Sequence, residues 1–130
     1  MVRNMDLIRE LLLRLESLPI EPGSIHIFYA GDDELRIDGF SDDQVSYHLS
    51  LIDEAGLIDA GTAAQPISGF MFSRLSWAGH DFLDSIRDPE VWTKTKRGAE
   101  AAGGFTVDLL KDLAKGFIRK QVEEYTGIKI

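Results

Sequence analysis

The chain has 130 residues, 44% hydrophobic and 28% charged, which is about one domain's length, enough to bury roughly two-thirds of its unfolded surface in one main core. That composition excludes a disordered or fibrous chain, and the lack of cysteine excludes disulfides and thiolate chemistry and suits a reducing compartment. The net charge of −8 is unevenly placed: residues 24–60 hold nine carboxylates and one arginine, while residues 94–130 are net +3.

Asn4 is placed to cap a first helix over 5–18, with Asp6 in its first turn, Met5, Ile8, Leu12 and Leu15 at helical spacing, and Pro19 as its stop. Arg9, Glu10, Arg14 and Glu16 interrupt this apolar run, so it is neither a signal-peptide core nor a membrane span, and a cytoplasmic location is expected. The β-branched and aromatic run Ile25–Ala30, the polar Gly31-Asp32-Asp33-Glu34 and then Leu35-Arg36-Ile37 predict a short β-hairpin between residues 24 and 39. Ser41 with Gln44 three residues on forms a capping box for a helix over 42–55. Val45, Leu49, Ile52 and Ala55 trace its buried stripe, and Gly56 supplies a left-handed end.

Leu57-Ile58 opens a strand, the small and polar stretch Gly61–Pro66 forms a tip, and Gly69–Leu75 returns, which predicts a second hairpin or wing. Ser76 caps the next helix, in which Trp77, Phe82, Leu83 and Ile86 are expected to face inward. Asp88-Pro89 starts another helix as a cap followed by proline. That helix stops near Gly103-Gly104. Thr106 leads a last one, with Val107, Leu110, Ala114, Phe117, Gln121 and Tyr125 along one side and Gly127 at its end.

The segments RNMDLIRELL at 3–12, YHLSLIDEAGLI at 47–58 and LSWAGHDFLDSIRDPEVW at 75–92 resemble the bacterial and phage family called domain of unknown function 2513. That resemblance implies no catalytic or binding residues, since the family has no assigned activity. The central block also resembles winged-helix repressors, in the pair His48-Leu49, the run Ala55-Gly56-Leu57-Ile58, and Leu75-Ser76 with Gly79. It departs from them by the hairpin expected at 24–39, where those repressors carry a short helix. The expected fold is therefore a single α+β domain: a winged-helix-like core over 1–88 with a small antiparallel sheet, extended by C-terminal helices over 89–127.

In winged-helix proteins the helix corresponding to 42–55 often enters the DNA major groove. Here it carries Asp42, Asp43, Asp53 and Glu54 and no lysine or arginine. An interface of the same sign as DNA gains nothing from counterion release and adds repulsion. The acidic segment is then either a solvated face or a docking surface for another protein, with Asp42, Asp43, Ser46, Tyr47 and Ser50 facing outward and Tyr47 as the anchor.

A basic surface is the counterpart: Lys94, Lys96 and Arg97 on one helix, and Lys111, Lys115 and Arg119 every four residues on the last, with Lys120 alongside. It fits nucleic-acid phosphates, an anionic membrane surface, a second copy's acidic helix, or a plain solvated helix face. The broad apolar side of the last helix also makes self-association a candidate.

Reactive chemistry finds no foothold in the pattern. His26, His48 and His80 lack a two-ligand spacing, His80-Asp81 has no serine elbow or cysteine to activate, and no glycine belongs to a phosphate loop. Trp77 and Trp92 are expected as core anchors. No metal or cofactor is expected. The sequence thus points to a non-enzymatic regulatory or adaptor domain contacting a protein partner, the alternative being a DNA-binding regulator that uses its basic C-terminal helices and the wing, with Arg74.

Overall fold

The structure is a computed structural model that describes residues 1–61 and 64–129. Among them are five α-helices and two small antiparallel sheets. The chain divides into two compact units, Met1–His80 and Asp81–Ile130.

In the first unit, α1 (Met5–Ser17) begins where the Asn4 side chain accepts the Leu7 N–H, and it buries Leu7, Leu11, Leu12 and Leu15 completely or nearly so. It packs against α2 (Asp42–Glu54). The expected capping box at the start of α2 is present: Ser41 Oγ accepts the Gln44 N–H at 3.1 Å and Gln44 Oε1 accepts the Ser41 N–H at 2.8 Å. Val45, His48, Leu49 and Ile52 form its buried side, and Gly56 turns the chain with φ of 73°.

The strands are short. β1 (His26–Phe28) pairs antiparallel with β3 (Phe70–Phe72), and β2 (Ile58–Asp59) pairs antiparallel with β4 (Arg74–Leu75). Between β3 and β4, the Ser73 N–H still reaches the Asp59 carbonyl at 2.9 Å and Ser73 Oγ donates to the Ser24 carbonyl. The return strand of the wing therefore lies between β1 and β2. Where β2 ends, the Gln65 side chain takes over the pairing, accepting the Met71 N–H at 2.7 Å and donating to the Met71 carbonyl at 3.0 Å. Thr62 and Ala63 of the expected wing tip lie outside the described residues.

The hairpin expected at 24–39 does not form. Residues 33–35 make a 3-10 turn instead, and β1 finds its partner more than forty residues later. The strand is ended by a reciprocal clasp, in which the Asp32 carboxylate accepts the Tyr29 N–H while the Asp32 N–H donates to the Tyr29 carbonyl. Leu35 and Ile37, which alternate like strand residues, are simply buried. The turn packs on α1, where Arg14 donates to the Glu34 carbonyl.

At the end of this unit, Ser76 caps α3 (Trp77–Ile86) by accepting the Gly79 N–H at 3.0 Å, and its own N–H donates to the Leu57 carbonyl. A Cβ on Gly79 would run into that same carbonyl, so only glycine lets α3 pass so close to the chain leaving α2. Trp77, expected inside, is 85% exposed. The buried positions are Gly79, Phe82, Leu83, Ser85 and Ile86; all but Ser85 follow the spacing i, i+3, i+4, i+7, and Trp77 falls on the opposite side of that stripe.

In the second unit, Asp88 caps α4 (Pro89–Ala102) through the Glu90 and Val91 N–H groups, and Gly103 ends it with φ of 82°. Thr106 caps α5 (Val107–Thr126), which Gly127 terminates. The two helices pack together, with Gly98 leaving room for Leu113. Burial on α5 stops early: Leu110 and Ala114 are buried, but Gln121 is exposed and Tyr125 is 93% exposed, against the stripe expected to continue through them. At 1.5 Å per residue α5 is about 30 Å long and α4 about 21 Å, so the last turns of α5 outrun the helix they pack on. No helix among the described residues is long and apolar enough to cross a membrane.

Candidate functional site

The exposed side of α2 carries all five residues expected there: Asp42, Asp43, Ser46, Tyr47 and Ser50. They divide into two rows. Asp42, Ser46 and Ser50, each four apart, border a groove of about 350 Å³. Asp43 and Tyr47 lie on the other row, and Tyr47 turns its ring edge to His48 with centroids 5.5 Å apart.

The groove is built wholly within the first unit. One wall is α2, with Val45 and Leu49 deeper than the polar row; another is the end of β1 and the turn after it, with Phe28, Tyr29 and Leu35; the third is the segment from Gln65 to Phe70. Phe28, Leu35, Val45, Leu49 and Phe70 are buried, so they form an apolar floor, whereas Tyr29 and Ile67 stand exposed at the rim. The charged groups of the lining are Asp32, Arg36 and Asp42. Arg36 is already engaged, donating to the Gly31 carbonyl at 3.2 Å and pairing with Asp33 at 3.4 Å.

His48 is the buried polar residue that holds this wall. It is 1% exposed; Nε2 accepts the Asn4 N–H at 2.8 Å and Nδ1–H donates to the Gln44 carbonyl at 2.7 Å. Facing a donor on one side and an acceptor on the other, the ring fits as one neutral tautomer. It ties the start of α1 to α2, which is a structural role. His26 stacks on Phe28, and His80 lies 3.8 Å from Glu16. Among the described residues no three His, Asp or Glu side chains gather as a metal site.

The wing contributes one perturbed group. The Gly61 N–H, first, and the Arg74 guanidinium, second, hold the Asp59 carboxyl below its ordinary 3.8. Asp59 therefore occupies Arg74, at 3.2 Å.

The basic residues of the second unit are more dispersed. Lys94 pairs with Glu90 on its own helix, and the Lys96 ammonium sits 5.6 Å from the centroid of the buried Trp92 ring. Arg97, Lys115, Arg119 and Lys120 are exposed, and Lys111 is half-buried.

The groove's other two walls are not legible in the sequence, because they come from two stretches of chain, one on either side of α2 and each distant from the other. A usable signal was present in Ile67, an isolated large apolar residue in a Gly-, Ser- and Pro-rich stretch where solvent exposure is expected.

An α+β protein of this kind, five helices with two small sheets, leaves many families open. Residues 2–105 match the family model described as "Hypothetical protein (DUF2513)", and the chain belongs to that family. The match ends before α5 begins. An "Uncharacterized protein" of Haemophilus influenzae (strain ATCC 51907 / DSM 11121 / KW20 / Rd) is 35% identical over 124 residues, covering 94% of this chain and 99% of its own length. No solved structure matches the chain.

Proposed function

We propose that the Met1–His80 unit is a winged-helix-like, non-enzymatic regulatory or adaptor domain that contacts a protein partner through the exposed face of α2 and the groove beside it. The order α1, β1, short turn, α2, β2 and a return strand lying between β1 and β2 supports the winged-helix part of this reading. The helix that repressors place before the recognition helix is represented by the 3-10 turn. A cysteine-free chain suits a cytoplasmic setting.

The observation that carries the partner reading is the charge of the α2 side. Its outward row and the adjoining groove present Asp32, Asp42 and Asp43, with Arg36 tied to Asp33. A DNA backbone would meet like charge there. The wing arginine, Arg74, is held by Asp59, so the DNA-binding alternative rests on the helices of the second unit.

Two measurements test the proposal. A low-salt gel-shift titration should give only weak smearing that competitor DNA removes; a discrete, competitor-resistant complex, lost in Lys111→Glu/Lys115→Glu, would establish the DNA reading in its place. Co-purification from the native host with mass spectrometry should retain a partner on the wild type that the face-reversed Asp43→Lys/Tyr47→Ala chain loses. Identical bound proteins from both chains would refute use of the α2 face.

A further inference from the structure

We infer that the groove beside α2 takes a segment of partner polypeptide that presents an apolar side chain next to a lysine or arginine. This rests on the reading of the first unit as a protein-contacting domain and specifies the chemistry of what it contacts.

The floor argues for the apolar part. Phe28, Leu49 and Phe70 converge there from three elements, and the exposed Ile67 and Tyr29 rise on the rim. An inserted side chain would be covered from several sides, which is how anchor residues gain affinity. Tyr29 and Ile67 would be partly desolvated in the same step.

The charges argue for the cationic part. Asp42 packs against Gly31, its Oδ2 3.0 Å from where a Cβ would stand, and no side chain or backbone N–H of the described residues engages it. Asp32 uses one oxygen on the Tyr29 N–H. The local cation, Arg36, is spent on Gly31 and Asp33. The groove therefore offers carboxylate oxygens without a free positive group, set in a stretch of chain whose net charge is −8. Complementarity of this sort selects partners and their register, and an acidic segment would be excluded by like-charge contact.

The test is a 15N–1H NMR titration of the full chain with two capped hexapeptides, one with the core Lys-Leu-Phe-Lys and one with Glu-Leu-Phe-Glu. The basic peptide should shift the Gly31, Ser46 and Gly69 amides saturably, and the acidic peptide should bind at least about fivefold more weakly, the size of one or two partly exposed ion pairs. Asp42→Asn should narrow that ratio with an otherwise unchanged spectrum, and Ile67→Ser should weaken both peptides alike. Equal binding of the two peptides in the groove would overturn the charge selection while leaving the adaptor reading untouched. Shifts confined to other surfaces, or none with either peptide, would overturn the inference; the native-host comparison reads Asp43 and Tyr47, outside the groove lining, and judges the adaptor reading separately.

Discussion

The two units are shaped by polar contacts of different reach. In Met1–His80, side chains clasp backbone far along the chain: His48 holds Asn4, Ser73 holds Ser24 and Ser76 holds Gly56. From Asp81 onward the helices are shaped by local caps, Asp88 and Thr106 at their starts, and by threonines such as Thr93 that donate to the carbonyl four residues back. The first arrangement positions a groove from distant pieces and is sensitive to single atoms. The second is a helix pair whose polar contacts are made between near neighbours in the chain. Charge follows the same division, with the acidic stretch in the first unit and the net positive stretch in the second.

Glycine substitutions should break the comparison most sharply. Gly79→Ala sets a Cβ against the Leu57 backbone, which cannot yield as a side chain end would. A loss of roughly 3 kcal/mol, the upper end of overpacking costs, is expected in urea denaturation; a change under about 0.5 kcal/mol would mean that α3 can move away from Leu57.

Next in size is His48→Leu. It keeps an apolar volume but removes the acceptor for the Asn4 N–H and the donor to the Gln44 carbonyl, and should cost about 2 kcal/mol. Hydrogen exchange should quicken first at the start of α1. Uniform quickening across both helices of the second unit as well would show that the clasp is not local to the first.

Gly116→Ala is the counter-case. Nothing lies within 4 Å of a Cβ there, and the position is an exposed one inside α5. It should raise stability by about 0.5–1 kcal/mol through helix propensity alone. A loss would mean that this face of α5 is covered in solution, and sedimentation of the wild type would then report an oligomer.

The smallest effect concerns pH. Asp59 is held below its ordinary pKa by the Gly61 N–H and then by Arg74, so its contribution to stability is present above about pH 4 and is lost as pH falls through the lowered value. Asp59→Asn should leave the protein slightly less stable at neutral pH and equal to wild type in acid. A difference that persists unchanged to about pH 2 would assign the effect to something other than this carboxylate.

The helices were legible from local rules because their signals are local. Asn4, Ser41, Asp88 and Thr106 each cap the helix they were expected to cap, and Gly56, Gly103 and Gly127 end theirs with positive φ. Face assignments failed where a large apolar residue outweighed spacing, as at Trp77, where the small Gly79 belongs to the buried stripe. Strand pairing failed at 35–37 for a related reason: alternation says that a residue pair is half-buried, and says nothing about which distant strand, or none, it meets.

The amino-acid sequence alone determined the caps, the helix bounds to within a residue or two, the acidic stretch and family membership, all properties carried by neighbours in the chain. The pairing of β1 with β3, the link from His48 on α2 to Asn4, and the groove shared by Phe28, Leu49, Ile67 and Asp42 are properties of the folded chain. Those outcomes depend on which distant groups can satisfy one another's hydrogen bonds and exclude water together, and no window of adjacent residues contains that information.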